Sequence, residues 1–271
     1  MPPASYDETT LGIYSYPRSG SNWLRNVFYA LLSKSYQIPS EYTKDKTDET
    51  WNYLQKIVPL HPACDPESGA SFETAYGKLR LFKTHSPSVV YHYGTRQLKT
   101  SFYFYVYRHP LDVFLSYLNY MFLHEDIYQR HFEIPLRPVS QLIENGSVEL
   151  FMSLFIATGN MCNGSDMAGS WWKSMEYWRI MKTEYSDFVY LFKYEDLIVD
   201  PVKAFGPLRN FLPVDADILK AVAWANNMFP KDNEFFWQMR SNYYAEMLPV
   251  DLVRKFDQIH GDRLRAFGYT V

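Results

Sequence analysis

The chain has 271 residues, 47% apolar and 21% charged, with a formal net charge of −3. That is the composition of a folded globular protein, and the near-neutral balance argues against a general polyanion or nucleic-acid binder. Two cysteines, Cys64 and Cys162, exclude a disulfide framework and suggest a reducing, cytoplasmic setting. The opening MPPASYDETT has no signal-peptide pattern, and no run approaches the roughly 18 apolar residues of a membrane span.

Taken in chain order, the first element is an apolar, β-rich run, Leu11 to Tyr16, followed by the turn PRSGS and a helix from Asn22. Trp23, Leu24, Val27, Phe28, Leu31 and Leu32 recur there at helical spacing, with Ser21 or Asn22 as cap. Residues 38–76 are polar and contain proline, and read as a loop. Further strands are expected over Leu79 to Phe82, Phe102 to Tyr107 and Phe188 to Phe192. None alternates cleanly, which suits strands buried on both faces of a parallel sheet. A helix should start at Pro110 and bury Val113, Phe114, Tyr117, Leu118 and Met121. Residues 122–140 are irregular and rich in His and charge, a second candidate loop. Helices follow over 138–157, 168–183, 201–211, 215–228 and 248–266. Strand–helix alternation without repeats or linkers predicts one α/β domain over 1–271. Its central, mostly parallel sheet would be flanked by helices and carry a P-loop-like strand–turn–helix.

In such sheets ligands bind beyond the carboxyl ends of the strands. Here the four strand exits read PRSGSNW, KTHSP (Lys83 to Pro87), RHPLDVFLS (Arg108 to Ser116) and KYEDL (Lys193 to Leu197). Each carries cationic or proton-transferring side chains, so they should converge on one crevice. The first turn offers Gly20, hydroxyls and the N–H groups opening a helix, which is equipment for phosphate. The Walker pattern with its Lys-Ser/Thr pair is absent, which counts against an NTPase. Alone, this turn is as compatible with a solvated loop as with an anion site, and a lone His85 would read as a structural histidine. Asp112 reads as a first-turn helix carboxylate, Glu195 and Asp196 as structural, and His109 as pointing away from Arg108. No His, Cys or carboxylate set has metal-ligand spacing, so no metal is expected.

YPRSGSNW, KTHSP, RHPLDVFLSY and KYEDL, in this order and spacing, resemble the sulfotransferases that use 3′-phosphoadenosine 5′-phosphosulfate, PAPS. The likeness is to the cytosolic-type branch and its bacterial relatives, whose ending GDRLRAFGY also resembles. It implies sulfuryl transfer from PAPS, with PAP as product, to a small-molecule hydroxyl or amine by in-line displacement. By the same resemblance Arg18, Ser19, Gly20, Ser21 and Asn22 would surround the 5′-phosphosulfate. Trp23 and Tyr194 would lie against the adenine, and Arg108 and Ser116 would bind the 3′-phosphate. Lys83 and Arg18 would stabilise the transferring group, and His85 would be the general base, a task that suits an imidazole at neutral pH.

Three positions depart from the family pattern. Arg18 stands where the cytosolic branch usually has Lys, and Ser174 where relatives often have a second His. The RKGxxG segment near the 3′-phosphate is replaced by FFWQMRSNYYAEML, in which Arg240 is the surviving cation. Weaker cofactor binding, with activity retained, is the expectation. The acceptor walls would come from residues 38–76, 122–140 and 229–245, with Tyr42, Trp51, Phe236, Trp237, Tyr243 and Tyr244 among their aromatics and Glu125 and Asp126 nearby. Aromatic faces with carboxylates suit a planar specialised metabolite, a cationic alkaloid being one reading. A P-loop kinase or NTPase and a non-catalytic PAP(S)-binding module remain as alternatives, and the oligomeric state stays open.

Overall fold

Alternation along the strands sets the architecture. The computed structural model describes residues 8–33, 53–54, 56–61, 69–74, 77–87, 100–161, 169–210, 218–228 and 238–269. In it β1 (Glu8–Ser15) turns Leu11 and Ile13 to one face and Tyr14 to the other, all buried. A strand with two dry faces needs helices on both, and it has them. α1 (Ser21–Ser33) follows, then the short strands β2 (Leu60–His61) and β3 (Ser71–Thr74), β4 (Gly77–Thr84) and β5 (Phe102–Tyr107). Next come α2 (Pro110–Leu123), α3 (Val148–Thr158), α4 (Trp171–Glu184), β6 (Val189–Lys193), α5 (Tyr194–Val199), α6 (Ile218–Asn227) and α7 (Val250–Ala266).

The strand order is β2-β4-β1-β5-β6, parallel throughout, with β3 added antiparallel to β4. Chain order reverses at β1, where β4 flanks one side and β5 the other, so the crevice beyond its carboxyl end is the switch point of the sheet. Register brings the exits level: Tyr14 pairs with Thr84, Ser15 with Val106 and Tyr107 with Lys193. Tyr14, Phe82 and Tyr105 pack with α2, α3, α4 and α7 on one face. Leu11, Ile13, Leu81, Phe104 and Val106 pack with α1 and α6 on the other.

Three expectations need correction. The stretch 38–76 is more than loop, because β2 and β3 lie within it. A two-residue strand carries no periodicity, and in β3 the buried Phe72 lies between exposed Ser71 and Glu73, so neither leaves a sequence signal. The helix expected over 138–157 is two, Val139–Glu144 and α3, broken where Gly146 takes φ 77° and Asn145 Oδ1 accepts from Ser147 N at 2.9 Å. The segment 201–211 is a short helix, Pro201–Ala204, capped by Asp200, then a 3₁₀ turn over Gly206–Asn210. Within 122–140 the Gln129 amide bonds Phe132 O, Ile134 O and Leu136 N, which ties that irregular segment to itself.

Candidate active site

The turn between β1 and α1 is shaped by two left-handed residues, Arg18 (φ 68°) and Gly20 (φ 101°). Gly20 lies against the Tyr194 ring, where an added Cβ would overlap ring atoms. Only glycine satisfies both demands, the angle and the close approach. Ser19 and Ser21 are buried, and Ser19 Oγ and Asn22 Oδ1 have no hydrogen-bond partner among the described residues. Buried polar atoms are normally paired, so this turn is built for a polar guest. Arg18 reaches back across the site: its Nε donates to Ser116 Oγ at 3.1 Å and its guanidinium lies 4.9 Å from the Tyr120 ring centroid.

At the exit of β4, Lys83 is 2% exposed and its Nζ sits 3.0 Å from His85 Nε2. The other ring nitrogen, Nδ1, lies 3.1 Å from the Ser15 carbonyl oxygen and 3.0 Å from Ser15 Oγ. A carbonyl only accepts, so Nδ1 carries the proton and Nε2 keeps its lone pair. Burial, then the charge of Lys83, holds the His85 imidazole well below its ordinary range. Burial, followed by Arg25 and Arg18, does the same to the Lys83 ammonium. Among the described residues no carboxylate makes an ion pair with Lys83. Cations crowded in a dry site are stabilised by an anionic ligand.

At the exit of β5, Arg108 is buried with its guanidinium 4.4 Å from the Tyr194 ring centroid and 5.3 Å from that of Tyr243. Nη2 donates to the Arg240 carbonyl at 2.6 Å, and Nε is 3.8 Å from Asp112 Oδ2. Ser116 lies on α2, two turns beyond Arg108, and is buried. Behind this turn Glu195 accepts from His109 N at 2.9 Å with one oxygen and from the Tyr269 hydroxyl at 3.3 Å with the other. Lys193 Nζ donates to Gly268 O at 2.7 Å. His109 caps α2, accepting from Leu111 N, and stacks on Tyr244.

The four exits therefore lie level at one end of the sheet, where contacts join Arg18 to Ser116, Lys83 to His85, and Gly20 and Arg108 to the Tyr194 ring. Two of the expected residues have further partners. Trp23 packs between α1 and α6, its Nε1 donating to Asn226 Oδ1 at 2.7 Å and its ring edge-on to Tyr194. Arg240 offers Arg108 its carbonyl, while its guanidinium is exposed and held by both oxygens of Glu246 at 2.8 Å. Ser174 is buried and shares a 2.8 Å hydrogen bond with the Tyr105 hydroxyl. Of the acceptor-wall residues, Tyr243 and Tyr244 are buried beside Arg108 and His109, while Tyr42, Trp51, Phe236 and Trp237 lie outside the described residues. Sequence reasoning missed Ser15 as the partner of His85 and Tyr120 beneath Arg18. It also missed that Asp112 binds the 240–244 segment. Only Asp112 carried a local signal, its place four residues after Arg108. Among the described residues no cluster of three His, Cys, Asp or Glu is placed to hold a metal ion.

The family model that matches is the Sulfotransferase domain, over residues 8–266. A flavonol 3-sulfotransferase of Flaveria bidentis is 26% identical over 204 residues, 73% of this chain and 54% of that protein, so the match spans about half of that relative's length. A 3-beta-hydroxysteroid sulfotransferase of Cavia porcellus is 25% identical over 251 residues, covering 91% of this chain and 71% of that one. Among solved structures, mouse sulfotransferase SULT7A1 complexed with PAP has a TM-score of 0.57 at 18% identity, covering 96% of this chain and 86% of that chain. Retinol dehydratase in complex with androsterone and PAP has a TM-score of 0.54 at 14% identity, covering 94% and 80%. These two likenesses concern the fold, whereas the family match runs through the strand exits themselves: the chain belongs to the sulfotransferase family.

Proposed function

We propose that this sulfotransferase transfers the sulfuryl group of PAPS to a hydroxyl or amine of a small molecule, with His85 as general base. The observation that carries the reading is the 3.0 Å pairing of Lys83 Nζ with His85 Nε2 at a strand exit shared with the Arg18 turn. PAPS supplies the activated sulfuryl group when bound, and in-line displacement builds negative charge on its leaving oxygen. Arg18 and Lys83 place fixed positive charge in a dry site, where it is worth most to such a transition state. Ser15 holds the His85 proton on Nδ1, so Nε2 is the atom that takes the acceptor's proton.

Ser19, Gly20, Ser21 and Asn22 serve the 5′ end, Tyr194 and Trp23 the adenine, Arg108 and Ser116 the 3′-phosphate. The unpaired Ser19 hydroxyl and the glycine cradle against Tyr194 fit that assignment. Arg240 contributes through its backbone carbonyl in the present arrangement. The relatives named for a flavonol and a hydroxysteroid favour a hydroxyl acceptor on a small ring system. A cytoplasmic location accords with the absence, among the described residues, of any helix long and apolar enough to cross a membrane.

Calorimetric titration with PAP and with ATP tests the reading. Tight PAP binding that disappears in Arg108→Ala, with ATP ignored, is expected. Equal binding of ATP, or PAP affinity indifferent to Arg108→Ala, would return the site to the kinase alternative or to some other anion.

A further inference from the structure

A strap of residues 238–244 crosses the Arg108 turn, and its backbone is under tension. Gln238, Met239 and Asn242 hold φ values of 63°, 43° and 60°, a left-handed region that side chains disfavour. Such a conformation persists only where the surroundings hold it. The holder here is Asp112, which is fully buried on the first turn of α2. Its Oδ2 accepts from Asn242 N at 2.7 Å, its Oδ1 from Tyr244 N at 3.0 Å, and its backbone carbonyl from the Tyr243 hydroxyl at 2.6 Å. Three consecutive strap residues therefore end on one aspartate, and both carboxylate oxygens are spent on the strap. Four residues earlier, the Arg108 guanidinium lies over both the Tyr194 and the Tyr243 ring, with Nη2 on the Arg240 carbonyl.

We propose that Asp112 is a positioning residue for 3′-phosphate recognition, latching the 240–244 strap so that the strap fixes the plane and direction of the Arg108 guanidinium. The inference rests on the sulfotransferase reading above. A carboxylate is itself repelled by phosphate, so Asp112 acts through Arg108 and the strap rather than by touching the nucleotide. Tyr243 supplies one wall of the slot and is held by its hydroxyl bond to the Asp112 carbonyl, while Arg240 O, one of the acceptors, lies two residues before Asn242, whose N–H Asp112 accepts. With the guanidinium set against two rings and one edge committed, less orientation remains to be lost on binding, which is how preorganisation raises affinity.

The test compares PAP with AMP, which differ only in the 3′-phosphate. Wild-type protein should prefer PAP. Asp112→Asn cannot accept both peptide N–H groups, and it should lose roughly tenfold or more of that preference. Its thermal midpoint should fall as the buried bond is lost, but its AMP affinity should stay close to wild type, and its KM for PAPS should rise while kcat is kept. A merely structural role would instead weaken both nucleotides alike. Should Asp112→Asn fail to fold, Tyr243→Phe, which removes only the hydroxyl bonded to the Asp112 carbonyl, carries the same comparison. An unchanged PAP-to-AMP ratio in the folded variant would overturn the proposal. Absence of any PAP preference in the wild-type protein would instead sink the sulfotransferase reading beneath it.

Discussion

Ser15 ends β1 and His85 lies one residue beyond β4, yet the Ser15 carbonyl oxygen and the His85 Nδ1 are 3.1 Å apart. The parallel register Tyr14 to Thr84 puts them side by side, and the contact decides which imidazole nitrogen is basic. Orientation of the base is thus a property of sheet pairing rather than of a neighbouring acid.

Removing the base should uncouple chemistry from binding. His85→Ala is expected to lower the single-turnover rate by about 10²-fold or more, with PAP affinity close to wild type. Ser15→Ala, which deletes the hydroxyl but keeps the carbonyl, should fall between the two. A His85→Ala enzyme of near-normal rate would remove His85 from the mechanism.

Lys83 is placed for function at a cost in stability. Its ammonium is buried with an imidazole for company. Lys83→Met should therefore raise stability by roughly 1 kcal/mol or more while sharply reducing turnover. Without the adjacent positive charge the protonated ring is less disfavoured, so the His85 titration should move up toward its ordinary value of about 6.5. Proton NMR of the ring and a urea melt read the two effects separately.

Gly20→Ala should fail at the nucleotide. The new methyl would have to push the Tyr194 ring aside while the backbone keeps φ 101°, a strain on the order of 1–3 kcal/mol. Because Tyr194 also carries the Arg108 guanidinium on its face, PAP affinity should drop more than the shift in melting midpoint would suggest.

Acid should weaken the fold through His109. Burial, then Lys193 and Arg108, pushes its pKa down to about 3. The unfolded chain takes up a proton below about 6.5 while the folded protein does not. The stabilisation is therefore complete above that pH and is lost as pH falls toward the folded value. Between pH 7 and 5 this one group should cost about 2 kcal/mol. His109→Asn keeps an acceptor for the helix cap without a titrating ring, and its urea-denaturation stability should vary less with pH over the same range.

What could be read from the sequence was whatever is local. The strand exits, the PRSGS turn, the start of α2 at Pro110 and the helix of 248–266 announce themselves through periodicity, proline placement and glycine. Partnerships between distant segments do not. Nothing near Ser15 indicates that its carbonyl meets a histidine 70 residues later. Asp112 read as an ordinary first-turn carboxylate because the strap that consumes it lies 130 residues away. Trp23 could be placed on α1, but not its hydrogen bond to Asn226 on a helix two hundred residues later. The Asn145-Gly146 break was present in the letters and was outweighed by the apolar spacing around it.

The bridge from Tyr269 through Glu195 to the His109 peptide has a consequence for synthesis. A ribosome makes β1, β4, β5 and β6 long before residue 269 leaves the exit tunnel. Until then Glu195 lacks the Tyr269 hydroxyl, and Lys193 has no Gly268 carbonyl to hold. A nascent chain can thus assemble its sheet while the Arg108 turn still lacks its rear support. Competence to grip the nucleotide comes late in translation, after most of the catalytic side chains are already in place.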